Sequence, residues 1–270
     1  MSGRFEGKQV IIIGASGGLG GAFARAFAKE GAALILAARS PSSLTALAQE
    51  IGGKLAPADL TDSRSLEMLH QQAGRVDVVV NATGFSPRKS LAAHTDEEIS
   101  RTLHTNLMGA ILITRTFAPS MAQSGGGVIV HLGGYADGRL ALPFFSVDAA
   151  SRAGIMTFSE AINREYRGTG VRVLYFSPSP AETETERPYH PVWRKLGQPV
   201  VSAEKVAAAL LDSVSHKRQI HIMGGALPRV FSRLNAIFPR LAEMVMINRY
   251  KRILESYFGD GAVDTVGDKG

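Results

Sequence analysis

Gln9-Val-Ile-Ile-Ile13-Gly14-Ala-Ser-Gly17-Gly18-Leu-Gly20 opens as a β-branched run and closes with four glycines in seven residues. A strand turning through glycines into a helix lets a pyrophosphate approach the backbone and the helix N-terminus, because no Cβ stands in the way. Glycines can also serve a purely structural turn, so the rest of the chain has to decide. Further strand-like runs lie at 33–38, 54–58, 76–80, 127–132, 171–176 and 219–222, alternating with helical patterns near 18–30, 42–51, 62–73, 96–123, 148–167 and 202–215. Such alternation implies an α/β fold, a doubly wound parallel sheet of seven strands with helices on both faces, in one domain.

Ligands of such sheets bind at the carboxyl ends of the strands, and four groups of residues fall there. Gly14, Ser16, Gly18, Leu19 and Gly20 follow the first strand. The second ends in Ala37-Ala38-Arg39-Ser40, where an acidic residue would bind a ribose 2′-hydroxyl. A cation after small residues instead favours a 2′-phosphate, hence NADP(H); a solvated surface charge is the plain alternative for Arg39. Asp59-Leu60 ends the third strand and Asn81-Ala82-Thr83-Gly84 the fourth.

In these residues the chain resembles the short-chain dehydrogenase/reductase family, over about residues 7–225. The resemblance also covers Thr105-Asn106-Leu-Met-Gly109, which matches the family's helix-borne catalytic Asn, and Pro178-Ser-Pro-Ala-Glu-Thr183 after the sixth strand. It implies a Rossmann-type fold with NADP(H) held by the residues above together with Pro178 and Thr183. It further implies a small-molecule substrate and a homodimer or homotetramer.

The family's Ser, Tyr and Lys are not found. The strand Gly127-Val-Ile-Val-His-Leu-Gly-Gly-Tyr135 places Gly134 at the Ser position. Counting back from Glu165-Tyr-Arg-Gly-Thr-Gly-Val-Arg-Val173 without gaps places Asp148 at the Tyr position and Arg152 at the Lys position. A gapped register would place Phe145 and Ala149 there. Residues four apart share a helix face, so Asp148 and Arg152 are expected to meet. A neighbouring guanidinium favours an ionised carboxylate, which makes Asp148 a poor stand-in for a tyrosine that protonates an alkoxide. It can hold a cation or act as a weak general base, while Arg152 can still hydrogen-bond a nicotinamide ribose. The bland alternative is a surface ion pair worth about 0.3–0.5 kcal/mol. Tyr135 would return a hydroxyl to the pocket or merely pack; His131 reads as a satisfied core histidine and Arg139 as a solvated loop residue. No histidine or acidic spacing reads as a metal site.

Three functions follow as expectations. The first is NADPH-dependent reduction of an imine, iminium or other activated electrophile, with Asp148, Arg152, Asn106 and Tyr135 at the reacting end. The second is a non-redox cyclase, isomerase or dehydratase with NADP as a structural ligand. The third is a catalytically silent NADP-binding protein.

Residues 1–225 form the nucleotide-binding domain, within which 177–200 corresponds to a substrate lid. That lid mixes Glu182, Glu184, Glu186, Tyr189, His190 and Trp193, which suits a bulky or cationic substrate. Residues 226–258 read as a basic amphipathic helical extension, with Leu227, Val230, Phe231, Leu234, Ile237, Phe238, Leu241, Met244 and Val245 on one face and Arg229, Arg233, Arg240, Arg249 and Arg252 on the other. Pro239 should divide it into two helices. Packing over the cleft or against a second subunit is the favoured reading, and a membrane surface the alternative. Residues 259–270 read as a flexible tail.

The chain's 30 Lys and Arg outnumber its 24 Asp and Glu, and much of that surplus falls within 227–258. No helix–turn–helix or base-stacking motif accompanies it, so nucleic acid is not an expected partner. The absence of cysteine excludes thiolate chemistry and is compatible with the cytoplasmic location expected from the lack of a secretory-type leader.

Overall fold

The computed structural model describes residues 3–134, 140–224, 230, 235 and 237–259. Seven parallel strands, β1 (Gln9–Ile13), β2 (Ala33–Ala38), β3 (Lys54–Pro57), β4 (Val78–Asn81), β5 (Gly127–Leu132), β6 (Val171–Ser177) and β7 (Ile220–Ile222), form one sheet in the order β3-β2-β1-β4-β5-β6-β7. This is the expected Rossmann-type architecture. Strand ends differ from expectation by one or two residues, as at β4, which runs on to Asn81.

Alternation along β1 builds two cores. Val10 and Ile12 face one side, packed among Phe23 and Phe27 of α1 (Gly18–Lys29) and Val206 and Leu210 of α8 (Ala203–Ser215). Ile11 and Ile13 face the other, among Leu66 and Leu69 of α3 (Ser63–Ala73) and Ile113 and Phe117 of α5 (Gly109–Gln123). Both faces of the strand are dry, which is why its sequence is continuously apolar rather than alternating. The strand order reverses between β1 and β4, and a crevice opens there at the carboxyl edge.

Further α-helices among the described residues are α2 (Thr45–Ile51), α4 (Asp96–Thr102), α6 (Ser146–Glu165), α7 (His190–Lys195), α9 (Pro239–Val245) and α10 (Arg252–Phe258). The single helix expected over 96–123 is interrupted by a π-helical stretch, Leu103–Met108. Its wider turn carries Asn106, which is buried and ties down the main chain of Phe85. Asp62, Thr95 and Ser202 cap α3, α4 and α8 with their side chains. At the start of α1, Gly17 supplies no such cap, and the first-turn N–H groups remain available to a ligand.

The C-terminal helical extension is present, and Pro239 stands at the start of α9 as expected. Its buried face is not the one the spacing singled out. Val230, Ile237, Phe238, Leu241 and Met244 are exposed, whereas Ala242, Met246, Leu254 and Phe258 are buried. A second π-helical stretch, Met246–Lys251, shifts the helical phase after α9. Leu254 and Phe258 join Val192, Trp193 and Leu196, with Leu140, Leu142 and Phe145, in a third apolar cluster. The extension therefore packs against α7 and its flanks, within the segment 177–200 expected to form a lid. Leu227, Arg229, Phe231, Arg233, Leu234 and the tail from 260 lie outside the described residues. Among the described residues no helix is long and apolar enough to cross a membrane.

Candidate active site

Two adjoining cavities run along the carboxyl edge of the sheet. The first, about 870 Å³, is lined by Gly14, Ser16, Arg39, Asp59, Leu60 and the loop after β4. The second, about 350 Å³, continues from Gly17, Gly18 and Leu19 past Ala82 and Gly84 to Asp148, Arg152, Pro178, Thr183 and Trp193. The two share Gly17, Ala82, Thr83 and Gly84, so they form one crevice.

Close approach explains the glycines. A Cβ at Gly20 would stand 2.2 Å from the Gly14 carbonyl oxygen, and one at Gly18 would meet Thr183 at 2.7 Å. Gly14 itself has φ +83°, a conformation that favours glycine. At the far end of this cavity, Arg39 is exposed and has no hydrogen bond or ion pair among the described residues. Asp59 accepts from the Thr61 hydroxyl at 2.7 Å and the Thr61 amide at 2.9 Å. The Thr61 hydroxyl, followed by its amide and the charge of Arg39, holds the Asp59 carboxyl below its usual range against the opposing effect of burial. Buried Asn81 accepts from the Thr83 hydroxyl at 2.5 Å and shapes the turn toward Gly84. An uncapped helix start, a glycine cradle and a free cation fit a dinucleotide with a terminal phosphate on its ribose.

The second cavity brings Gly134, Asp148, Arg152 and Asn106 together. Arg152 Nε lies 3.3 Å from Asp148 Oδ1, and Arg152 Nη1 donates to the Leu132 carbonyl at 2.8 Å. Asn106 Nδ2 is 3.2 Å from the same Asp148 oxygen and 3.1 Å from Ser151 Oγ. Asp148 Oδ2 has no hydrogen-bond partner among the described residues. The two charged side chains are only 12% and 11% exposed, which overturns the bland reading of a solvated surface pair. Position 134 abuts both: a Cβ there would stand 2.8 Å from Arg152 Cγ and 3.6 Å from Asp148 Oδ2. Phe145 and Ala149, the pair of the gapped register, line the same cavity. Tyr135 and Arg139 lie outside the described residues.

His131 is buried beneath the sheet edge. The Thr114 hydroxyl donates to the Ala110 carbonyl at 2.9 Å, so His131 Nε2, 2.8 Å away, must be the donor to that oxygen. His131 Nδ1 has no hydrogen-bond partner among the described residues, so this core histidine is only half satisfied there. Burial pushes its pKa down to about 3. Among the described residues no cluster of His, Asp or Glu could hold a metal ion.

The sequence pattern missed Arg88, which lines the second cavity and pairs with Glu186 at 2.8 Å. It also missed Tyr175, whose hydroxyl accepts from the Gly134 amide at 3.2 Å. Neither belongs to a motif; Arg88 has the look of an ordinary loop charge.

The family model for short chain dehydrogenase matches residues 8–191. The chain is 37% identical over 181 residues to ketoacyl reductase HetN of Nostoc sp. (strain PCC 7120 / SAG 25.82 / UTEX 2576), covering 64% of this chain and 63% of that relative. It is 27% identical over 273 residues to dehydrogenase/reductase SDR family member 7B of Danio rerio, covering 92% and 87% of the two chains. A solved short-chain type dehydrogenase/reductase from Mycobacterium marinum superposes with a TM-score of 0.73 at 27% identity, over 81% of this chain and 94% of that one.

Proposed function

The chain belongs to the short-chain dehydrogenase family, and from that premise we propose that it is an NADP(H)-dependent oxidoreductase acting on an electrophile that needs no proton from a tyrosine, an iminium above all. The observation that carries this reading is the packing of Gly134, Asp148 and Arg152 into one corner of the cavity, where the family's Ser, Tyr and Lys are expected.

Gly14, Ser16, Gly18, Leu19 and Gly20 would hold the pyrophosphate, and Arg39 the 2′-phosphate. Asp59, Leu60, Asn81, Ala82 and Gly84 would line the adenine and ribose path. Pro178 and Thr183 would close over the nicotinamide end, with Arg152 beside its ribose. NADPH, when bound, supplies hydride at that end. An iminium reduced there needs no proton, because its π pair becomes the nitrogen lone pair. Asp148 Oδ2, open toward residue 134, would stabilise the positive charge of such a substrate in a cavity walled by Leu140, Leu142 and Phe145. A fixed charge is most effective in such a water-poor setting. Asn106 and Arg152 hold the other carboxylate oxygen and so set the direction of Oδ2.

Incubation with NADPH and either N-methyl-1-pyrrolinium or 2-butanone, followed at the nicotinamide absorbance, tests the proposal. Consumption with the iminium alone is expected, reduced about a hundredfold by Asp148→Asn. Comparable turnover of the ketone, or none of the iminium, would sink it.

That Asp148 Oδ2 has no hydrogen-bond partner among the described residues also favours a second reading. A base facing the cavity could serve a non-redox isomerase or dehydratase, with NADP as a structural ligand. Turnover without any change in nicotinamide absorbance, abolished in Asp148→Asn, would select it.

A further inference from the structure

The helical run from Pro239 to Phe258 turns one side toward the body of the fold and the other away from it. Ala242, Met246, Leu254 and Phe258 are buried, so packing uses the inner side. The outer side is apolar as well. Val230, Ile237, Phe238, Leu241, Met244 and Ile247 are 49–67% exposed, and they make up half of the large exposed apolar residues among the described ones. Apolar residues scattered singly over a surface need no explanation, but a concentration of them marks an interaction site. Cations stand around this row. Arg240, Arg249, Lys251 and Arg252 are exposed, and none forms an ion pair among the described residues. Glu243 is the one carboxylate between residues 237 and 252. On α9, Arg240 is four residues from Met244 and Leu241 three, so the guanidinium and both apolar side chains share the outer face.

We infer that this outer face is a docking surface for an anionic lipid membrane. Ile237, Phe238, Leu241 and Met244 enter the boundary between headgroups and acyl chains, and the four cations meet lipid phosphates. Charge selects this occupant. A second copy seated on the same face through a two-fold axis would set these cations against their own equivalents. The centre of a protein–protein interface is depleted of charge, yet Arg240 lies within the apolar row. At a bilayer surface neither conflict arises. A long cationic side chain lays its stem along the apolar region and places its head among the phosphates. Each such cation is attracted to an anionic leaflet, and salt screens the attraction. The contact is with the surface of the bilayer, since no described helix is long and apolar enough to cross it. None of these residues lines either cavity, so the inference is independent of the reaction proposed above.

Co-sedimentation of the full-length protein with vesicles of phosphatidylcholine alone, or of an equimolar phosphatidylcholine–phosphatidylglycerol mixture, tests this. Binding to the mixed vesicles is expected to be about tenfold stronger than to the neutral ones, and to fall severalfold at about 0.5 M salt. Leu241→Asn/Met244→Asn should weaken it about tenfold. Arg240→Gln/Arg249→Gln/Lys251→Gln/Arg252→Gln should remove the preference for anionic vesicles. Both sets replace exposed side chains, so unchanged circular dichroism and thermal melting are expected. If the asparagines unsettle α9, the glutamine set, which removes no apolar side chain, still decides the question. Met68→Asn, at an exposed apolar position on α3, should leave binding as it was. Equal binding to both vesicles, binding to neither, or an equal loss in Met68→Asn each overturns the inference. So does an oligomer that Leu241→Asn/Met244→Asn dissociates in sedimentation velocity, which would give the face to a second copy.

Discussion

Arg152 occupies the space that any side chain at residue 134 would need, since a Cβ on Gly134 would stand 2.8 Å from Arg152 Cγ and 3.2 Å from Arg152 Cβ. The arginine stem is held there because its head is tied to the Leu132 carbonyl and to Asp148. The absence of a side chain at 134 and the presence of arginine at 152 are therefore one steric arrangement. Gly134→Ala should destabilise the protein by about 1–3 kcal/mol through overpacking. In an Asp148→Asn/Arg152→Ala background, which removes the Cγ and leaves the Cβ at 3.2 Å, the same change should cost less than about 1 kcal/mol. Denaturant unfolding of the four proteins gives the coupling directly, and additive effects would contradict it.

Asp148 and Arg152 are both largely removed from water. Arg152→Met strands the carboxylate and should cost about 3–5 kcal/mol, whereas Asp148→Asn/Arg152→Met should recover most of that loss. Thermal and urea unfolding distinguish the two outcomes. A single variant as stable as the double one would show that the pair is solvated after all.

Arg39 makes no hydrogen bond or ion pair among the described residues and lines the cleft with Asp59, whose carboxyl its charge helps to hold below the usual range. Arg39→Glu should weaken NADPH binding about 10- to 100-fold and leave NADH binding little changed, the loss of charge-assisted bonds to one phosphate. Parallel titrations with both nucleotides read this ratio. An unchanged ratio would assign Arg39 to the solvated surface.

Protonation of His131 is disfavoured in the fold and not in the unfolded chain. Its pKa falls from 6.5 to about 3 on burial. Above 6.5 both states are neutral there and the fold retains its full stability. Below that value the unfolded chain binds the extra proton, so stability is lost as pH falls toward 3, by about 1.4 kcal/mol per unit. From pH 7 to pH 5 the loss should be about 2 kcal/mol. His131→Gln, which can still donate to Thr114, should flatten that part of the melting-temperature profile. An equally steep profile in the variant would place the acid sensitivity elsewhere.

The fold was largely legible because its signals are local. Continuous apolar runs such as Val10–Ile13 and the glycines after them specify strand, turn and helix within a dozen residues, and both stand where expected. Arg39, Asp59 and Gly84 were legible because strand ends converge on one edge of a parallel sheet. The π-helical stretch around Asn106 was not, since it depends on a bond to Phe85, a residue distant in sequence. Nor was the ion pair of Arg88, which joins a loop after β4 to Glu186, 98 residues later. In the extension, the three-and-four spacing of Leu241 and Met244 describes a helix correctly but not the face that tertiary packing buries.

Phe258, near the end of the described chain, lies 5.6 Å from Phe145 edge to face, and Phe145 in turn begins the helix that carries Asp148. The apolar side of the second cavity at Phe145 is thus backed from behind by α10. Trimming or repacking the last helix would reshape the room offered to a substrate while leaving every residue that faces the cofactor cradle in place. This support lies outside residues 8–191, the span matched by the family model.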